Sequence, residues 1–208
     1  MRLLAVCVGK PQKRPGKKTP TGINKLPAMS AVSVGPEGLE GDTVCNRKHH
    51  GRPEQAVCVE GNITRLWWED GLGQNISYGA FGENLCIDGL DNRIVAVGDR
   101  FLIGNAILEA TAPRMPCRIL SERLGDPAFA KRYLAAGRPG FYCRVIKSGV
   151  IAAGHPVAHA RFDGDRILLF EMMQHHGKKA SPDLIQRYLE VPVHARVRAS
   201  LAQSSIKF

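Results

Sequence analysis

Phe101-Leu102-Ile103-Gly104-Asn105-Ala106-Ile107-Leu108 decides the fold class. Two short apolar runs meet at a Gly-Asn pair, the kind of signal that supplies positive φ in a two-residue hairpin turn. Outward from it, short apolar or alternating runs separated by Gly, Asn and Asp predict strands over 2–8, 31–34, 55–60, 83–87, 100–103, 106–110, 141–146 and 157–162. Such even punctuation signals a barrel or a sandwich. Helical stretches interrupt it at 62–69, where Asn62 can cap, at about 118–124, and at 127–135 behind Asp126 and Pro127. After Asp163-Gly164 the pattern turns helical over 166–174, 183–190 and 193–202, with Asp165 and Ser181-Pro182 as start signals for the first two.

A chain of 208 residues fits one main domain with a small appendage and buries a core without covalent staples. The six cysteines are irregularly spaced, with no C-x-x-C and no short Cys/His cluster, which argues against a zinc ribbon or an iron–sulfur centre. Cys7, Cys58, Cys86 and Cys143 fall in strand-like runs and read as core. His175-His176 reads as part of a polar loop, because adjacent histidines point apart, and Trp67-Trp68 reads as packing. The apolar run Leu3–Val8 is too short for a secretion signal and nothing downstream approaches a membrane span, so a cytoplasmic protein with no membrane partner is expected.

The net charge of +10 draws nucleic acid, anionic membranes and phosphorylated small molecules alike. Its densest run, Lys10–Lys18, lies in a Pro/Gly-punctuated loop with no helix-turn-helix, zinc finger or aromatic RNA-binding strand. Sequence-specific nucleic-acid binding is therefore not expected, and a phosphate-bearing ligand is the better match.

One thiol stands apart from the other five. In Pro113-Arg114-Met115-Pro116-Cys117-Arg118, guanidinium groups three residues before and one after the sulfur favour thiolate, while two prolines stiffen its presentation. Glycine-marked segments surround it: Gly38-Leu39-Glu40-Gly41-Asp42, His49-His50-Gly51 running to Gln55-Ala56-Val57, Phe81-Gly82-Glu83-Asn84-Leu85, and Gly140-Phe141.

In their order and combination these segments resemble the MOSC family, named for the C-terminal domain of molybdenum-cofactor sulfurases, and within it the bacterial hydroxylaminopurine-resistance type. Gly9-Lys10-Pro11 with Thr21-Gly22-Ile23-Asn24-Lys25, Gly38–Asp42, Phe81–Leu85 and Pro113–Cys117 carry the likeness, which covers nearly the whole chain. Two positions depart from the family pattern: Arg52 stands where a second glycine usually follows the histidine, and His155 where an aspartate usually follows Gly154.

The resemblance implies a β-barrel domain over 1–162 with peripheral helices, mainly β with α, and a small three-helix extension over 163–208. It also implies the molybdenum cofactor, in its molybdopterin form, as ligand. Lys25, His50, Gly51, Gln55, Asn84, Arg114 and Cys117 are then the cofactor-binding candidates, with Cys117 the metal ligand. Glu83 and His50 join Cys117 as catalytic candidates able to hand on a proton. The chemistry agrees, since a soft thiolate suits a metal already held by dithiolene sulfurs and arginine pairs bidentately with phosphate.

Two functions fit this set. The first is a reductase of N-hydroxylated small molecules such as hydroxylamino-purines, fed by a separate flavin-type reductase because the sequence has no flavin, nicotinamide or cluster fingerprint. The second is a carrier of the cofactor or of sulfur without turnover of its own.

Overall fold

The computed structural model describes residues 1–207, apart from the side chains of Lys48 and His49. The His49 side chain of the His49-His50-Gly51 segment thus lies outside the described residues. In chain order the elements are β1 (Leu3–Val8), β2 (Leu26–Pro27), β3 (Val32–Gly35), β4 (Gly38–Leu39), α1 (Arg47–His50), β5 (Val57–Gly61), α2 (Asn62–Leu72), β6 (Leu85–Ile87), β7 (Arg100–Ile103) and β8 (Ala106–Pro113). There follow α3 (Arg118–Leu124), α4 (Phe129–Ala136), β9 (Phe141–Lys147), β10 (Gly149–Ile151), β11 (Val157–Ala160), α5 (Leu169–His175), α6 (Pro182–Leu189) and α7 (Ala195–Leu201).

The hairpin that opens the sequence reading forms β7 and β8, in register from Ile103↔Ala106 to Arg100↔Glu109. Only Gly104 takes a positive φ, 57°. Asn105 contributes through its side chain instead, Oδ1 accepting the Val150 N–H at 2.9 Å and tying β10 to the turn.

An eight-stranded sheet runs in the order β11-β7-β8-β9-β5-β6-β1-β2, beside a small β10-β3-β4 sheet. Every pairing is antiparallel except β5 with β6, so the sheet is mixed. The ladders do not close on themselves as the expected barrel requires. The C-terminal end of β1 is occupied by β2, through Cys7↔Pro27 and Val8↔Leu26. The N-terminal end of the chain meets only the start of β11 and the residues before it, by an isolated Arg2–Pro156 bridge and backbone bonds from Leu3 N–H to the His155 carbonyl (2.9 Å), Gly154 N–H to the Leu3 carbonyl (2.7 Å) and Val157 N–H to the Met1 carbonyl (2.9 Å).

The main core joins Leu3, Val59, Leu85, Phe101, Leu108 and Phe141 to Ile167, just before α5, and to Leu169, Tyr188, Val197 and Leu201 of the C-terminal helices. A second cluster of Trp68, Phe81, Phe129 and Tyr133 packs under α3 and carries Met115 and Cys117 on its margin. Asp165, expected to cap a helix, pairs with Arg187 at 2.5 Å, and α5 begins later, at Leu169. Asn62 does not cap either; Gly61 holds that position and Asn62 Oδ1 accepts from Arg65 Nε at 2.9 Å. Ser181 does cap, its Oγ accepting the Leu184 N–H at 3.3 Å. Among the described residues no helix is long and apolar enough to cross a membrane.

Candidate functional site

The end of β8, the start of α3 and the loops around 20–25 and 42–56 enclose a cleft of about 150 Å3, open at its mouth. Cys117 enters it from the residue just before α3. Its backbone is extended (φ −128°, ψ 164°) while its carbonyl already accepts the Leu120 N–H at 3.0 Å, so the thiol sits where strand-like chain becomes helix. Pro116 cannot donate a backbone hydrogen bond, which suits this abrupt change of direction.

The two arginines flanking Cys117 part company. Arg118 faces solvent and pairs with Glu122 one helical turn on, at 3.1 Å. Arg114 turns inward, only 5% exposed, anchored by its backbone N–H to the Gly140 carbonyl at 2.7 Å and lying beside the Tyr142 hydroxyl. Its Nη1 is buried with no hydrogen-bond partner. A buried guanidinium nitrogen left this way is costly unless an anion completes it.

Lys25, Asn84, His50 and Gln55 all line the same cleft. Lys25 and Asn84 are held by one carboxylate. Asp42 accepts from Gly9 N–H at 2.7 Å, from Asn84 Nδ2 at 2.9 Å and from the Lys25 ammonium. Asn84 also accepts the Cys58 N–H at 3.0 Å and donates to the Cys7 carbonyl at 3.1 Å, joining β1 to β5. Asp42 is therefore the hub of the cleft floor, a role the sequence reading did not assign although its motif contains the residue. Arg123 on α3, also missed, steadies the opposite wall through the Ile23 carbonyl at 2.9 Å. Gly82 contributes close packing there: at φ 77° it faces Ile23, and a Cβ would lie 2.7 Å from Ile23 Cγ1.

Glu83 and Gly51 are not where the sequence reading puts them. Glu83 is fully buried and absent from the cleft wall; its Oε1 accepts the Gly79 N–H at 2.6 Å, and burial raises its pKa. It stabilises the turn behind the cleft. Gly51 walls an adjoining chamber instead of the cleft itself. His50, at the end of α1, remains at the wall with its ring 6.5 Å from that of Tyr142.

Gln55 ends a 3-10 turn and presents a buried Oε1 that accepts no hydrogen bond. Cys58 is a correction of another sort. It is buried, as expected of a core thiol, yet it also lines the cleft, with its thiol pKa pushed up to about 12 by burial. Cys45 lines the cleft as well. Alternation along β5 explains why a strand cysteine can reach a ligand surface, and sequence periodicity alone does not say which face that is.

Among the described residues no group of three His, Cys, Asp or Glu side chains is arranged to hold a metal ion. A metal in this cleft would bring most of its own ligands and take one thiolate from the protein. The donor set fits such a group: a soft sulfur at Cys117, an unsatisfied cation at Arg114 and an unsatisfied acceptor at Gln55.

A mixed sheet flanked by helices, with a proline-framed cysteine and a buried arginine in one cleft, defines the class. The chain belongs to the MOSC family, whose domain model matches residues 46–158. It is 38% identical over 154 residues to YflK of Bacillus subtilis (73% of this chain, 70% of that one). To YiiM of Escherichia coli it is 32% identical over 155 residues (73% and 69%). The crystal structure of YiiM from Geobacillus stearothermophilus superposes with a TM-score of 0.80 at 24% identity over 98% of both chains. That of YiiM from Escherichia coli gives 0.74 at 22% identity, over 100% of this chain and 96% of the other. A fungal protein named as a reductase, from Gibberella moniliformis, is 37% identical over 81 residues, 38% of this chain and 14% of its own length.

Proposed function

We propose that the cleft binds the molybdenum cofactor in its molybdopterin form, and that the loaded protein reduces N-hydroxylated compounds such as hydroxylamino-purines with electrons from a separate flavin-type reductase. The observation that carries this reading is the Cys117 thiol sharing one cleft with a buried Arg114 whose Nη1 lacks a partner. Cys117 would ligate the metal, and Arg114 would take the anionic pterin end, or an oxygen of the group, by a charge-assisted bond. Lys25 and Asn84, fixed by Asp42, hold the floor in shape rather than moving toward the ligand. When bound, the cofactor supplies two-electron redox chemistry.

The chain's own residues supply the rest. Ile23, Met115 and Ile119 line the cleft with apolar surface and exclude water. His50 places an imidazole at the cleft wall, which leaves it the stronger proton-carrying candidate now that Glu83 lies behind the wall. The fungal relative named as a reductase supports the enzyme class. Six free cysteines suit a reducing, cytoplasmic setting.

A second reading, transfer of the cofactor or of sulfur, is favoured by the presence of Cys45 and Cys58 beside Cys117 in one cleft. Turnover separates the two. Holo-protein given a chemical or flavoprotein donor should convert a hydroxylamino-purine to the amino-purine many times over. At most one equivalent of product, with ready transfer of the cofactor to an apo-molybdoenzyme, would establish the carrier instead.

A further inference from the structure

Charge is unevenly spread along this chain. The first 36 residues carry seven Lys and Arg and no Asp or Glu, and no Phe, Tyr or Trp occurs before Trp67. The fold gathers most of that charge on a preformed hairpin. Gln12 and Thr21 exchange both backbone bonds, at 2.8 and 2.9 Å, and the chain turns over Arg14-Pro15-Gly16-Lys17, with the Lys17 N–H bonded to the Arg14 carbonyl at 3.1 Å. Pro15 presets φ at the second turn position and Gly16 takes φ 65° at the third, as a type II turn asks. Lys10, Lys13, Lys17 and Lys18 are exposed on the hairpin or just before it.

This hairpin stands at the mouth of the cleft. Pro20, Thr21 and Gly22, where it ends, line the cleft wall. Arg14 reaches Glu122 of α3 at 3.5 Å, and the same carboxylate takes Arg118, which pins the hairpin to the helix that begins beside Cys117. At its foot lies β2, whose Leu26 pairs with Val8 two residues before Lys10. Leu26 is 68% exposed and Met29, just beyond β2, is 99% exposed, the two most exposed large apolar side chains among the described residues.

Cations beside bare apolar side chains have the make-up of a docking surface, charge steering the approach and apolar area holding the contact. Nucleic acid would use the lysines but leave Leu26 and Met29 uncovered, and a single strand asks for stacking rings that this stretch lacks. A membrane asks for an apolar helix face, and this surface is a turn and a two-residue strand. An acidic protein face uses both halves. We propose that the basic hairpin, with Leu26 and Met29 at its foot, docks the acidic face of the flavin-type electron donor at the mouth of the Cys117 cleft. This rests on the reductase reading and names the surface through which its electrons arrive. Reducing one N–O bond to N–H and water takes two electrons and two protons, the electrons from the donor's reduced flavin and the protons from water.

Flavodoxin, a small acidic protein with one flavin, is titrated calorimetrically into the cofactor-free full chain, wild type and the double variant Lys17→Glu/Lys18→Glu, which reads docking without turnover. The wild type should bind it at about 0.01 M salt and lose most of that affinity at about 1 M. The double variant should bind about tenfold or more weakly, because two rim charges turn from attraction to repulsion, and Met29→Asp should weaken binding as well. In the loaded protein, flavodoxin-driven reduction of a hydroxylamino-purine should fall by the same factor through the KM for flavodoxin. Reduction driven by reduced methyl viologen, a small dye with no face to dock, should be unchanged in both variants.

Equal affinity of wild type and double variant for flavodoxin, or no binding by the wild type at low salt, would overturn the proposal. Tighter binding of oligothymidylate or of phosphatidylserine vesicles than of flavodoxin, lost in the double variant, would assign the hairpin to nucleic acid or to a membrane and overturn it too. A matching fall in the dye-driven rate would show that the hairpin shapes the cleft and docks nothing. If neither donor reduces any N-hydroxylated compound while flavodoxin binding keeps its dependence on Lys17 and Lys18, the reductase reading fails and the docking surface stands.

Discussion

At the scale of single residues, the cleft divides into groups with an unpartnered polar atom and groups locked by their neighbours. Arg114 belongs to the first. Arg114→Lys keeps the charge but loses the planar fork, so cofactor affinity should fall about tenfold or more; an unchanged dissociation constant would assign Arg114 to packing against Tyr142 and Gly140. Asp42 belongs to the second. Removing its carboxylate strands the buried Lys25 ammonium, so Asp42→Ala should cost about 3–5 kcal/mol in urea unfolding, and a loss below about 1 kcal/mol would contradict the hub role. Cys117 and Arg114 were legible because a thiol and a guanidinium framed by prolines are unusual locally, whereas Gln55 entered only through the family resemblance. Lys25 and Asn84 were legible as cleft residues but not as Asp42's partners, because those pairings span 17 and 42 positions and leave no local trace. Glu83 misled for the reverse reason: it neighbours Asn84 in sequence, yet its carboxylate folds back on Gly79.

At the scale of elements, the hairpin, β9 and the Ser181 cap follow from short-range chemistry, and the sequence pattern located them. The reading failed where a distant partner competes for a local signal. Asp165 gives up capping for Arg187, and β2, β4 and β10, of two or three residues each, exist only because a neighbouring strand is present. The start of α7 offers a test of electrostatics. His194 is fully buried, its Nδ1 accepting the Arg196 N–H at 2.9 Å, and its pKa is lowered to about 4 chiefly by burial, with the cations of Arg196, Arg52 and Arg144 adding to it. A depressed histidine folds neutral. Its contribution is therefore complete above the unfolded value near 6.5 and is lost as pH falls to about 4, a change on the order of 3 kcal/mol. His194→Asn keeps a capping acceptor and removes the ring. Its unfolding free energy should decline less than the wild type's between pH 6.5 and 4, and parallel curves would show that His194 does not drive the acid sensitivity.

At the scale of the molecule, the C-terminal helices and the sheet share one apolar cluster, with Leu169 N–H bonded to the Val95 carbonyl at 2.9 Å and Val97 N–H to the Ile167 carbonyl at 3.0 Å. A chain truncated after Phe162 should therefore lose cooperative thermal unfolding, whereas a sharp transition near the full-length midpoint would make the helices dispensable. Patterning marked the helical tail but not its docking, since an amphipathic helix does not name the surface it covers. The proposed role of this architecture is to hold a molybdenum-bearing pterin on Cys117. It is tested most directly by metal and pterin analysis of wild type and Cys117→Ser, both purified from a host that makes the cofactor. Exchanging sulfur for oxygen changes little volume but removes the soft ligand. Stoichiometric molybdenum and pterin in the wild type, and loss of molybdenum from Cys117→Ser at an unchanged melting temperature, is the predicted result; equal molybdenum in both proteins, or none in the wild type, would contradict it.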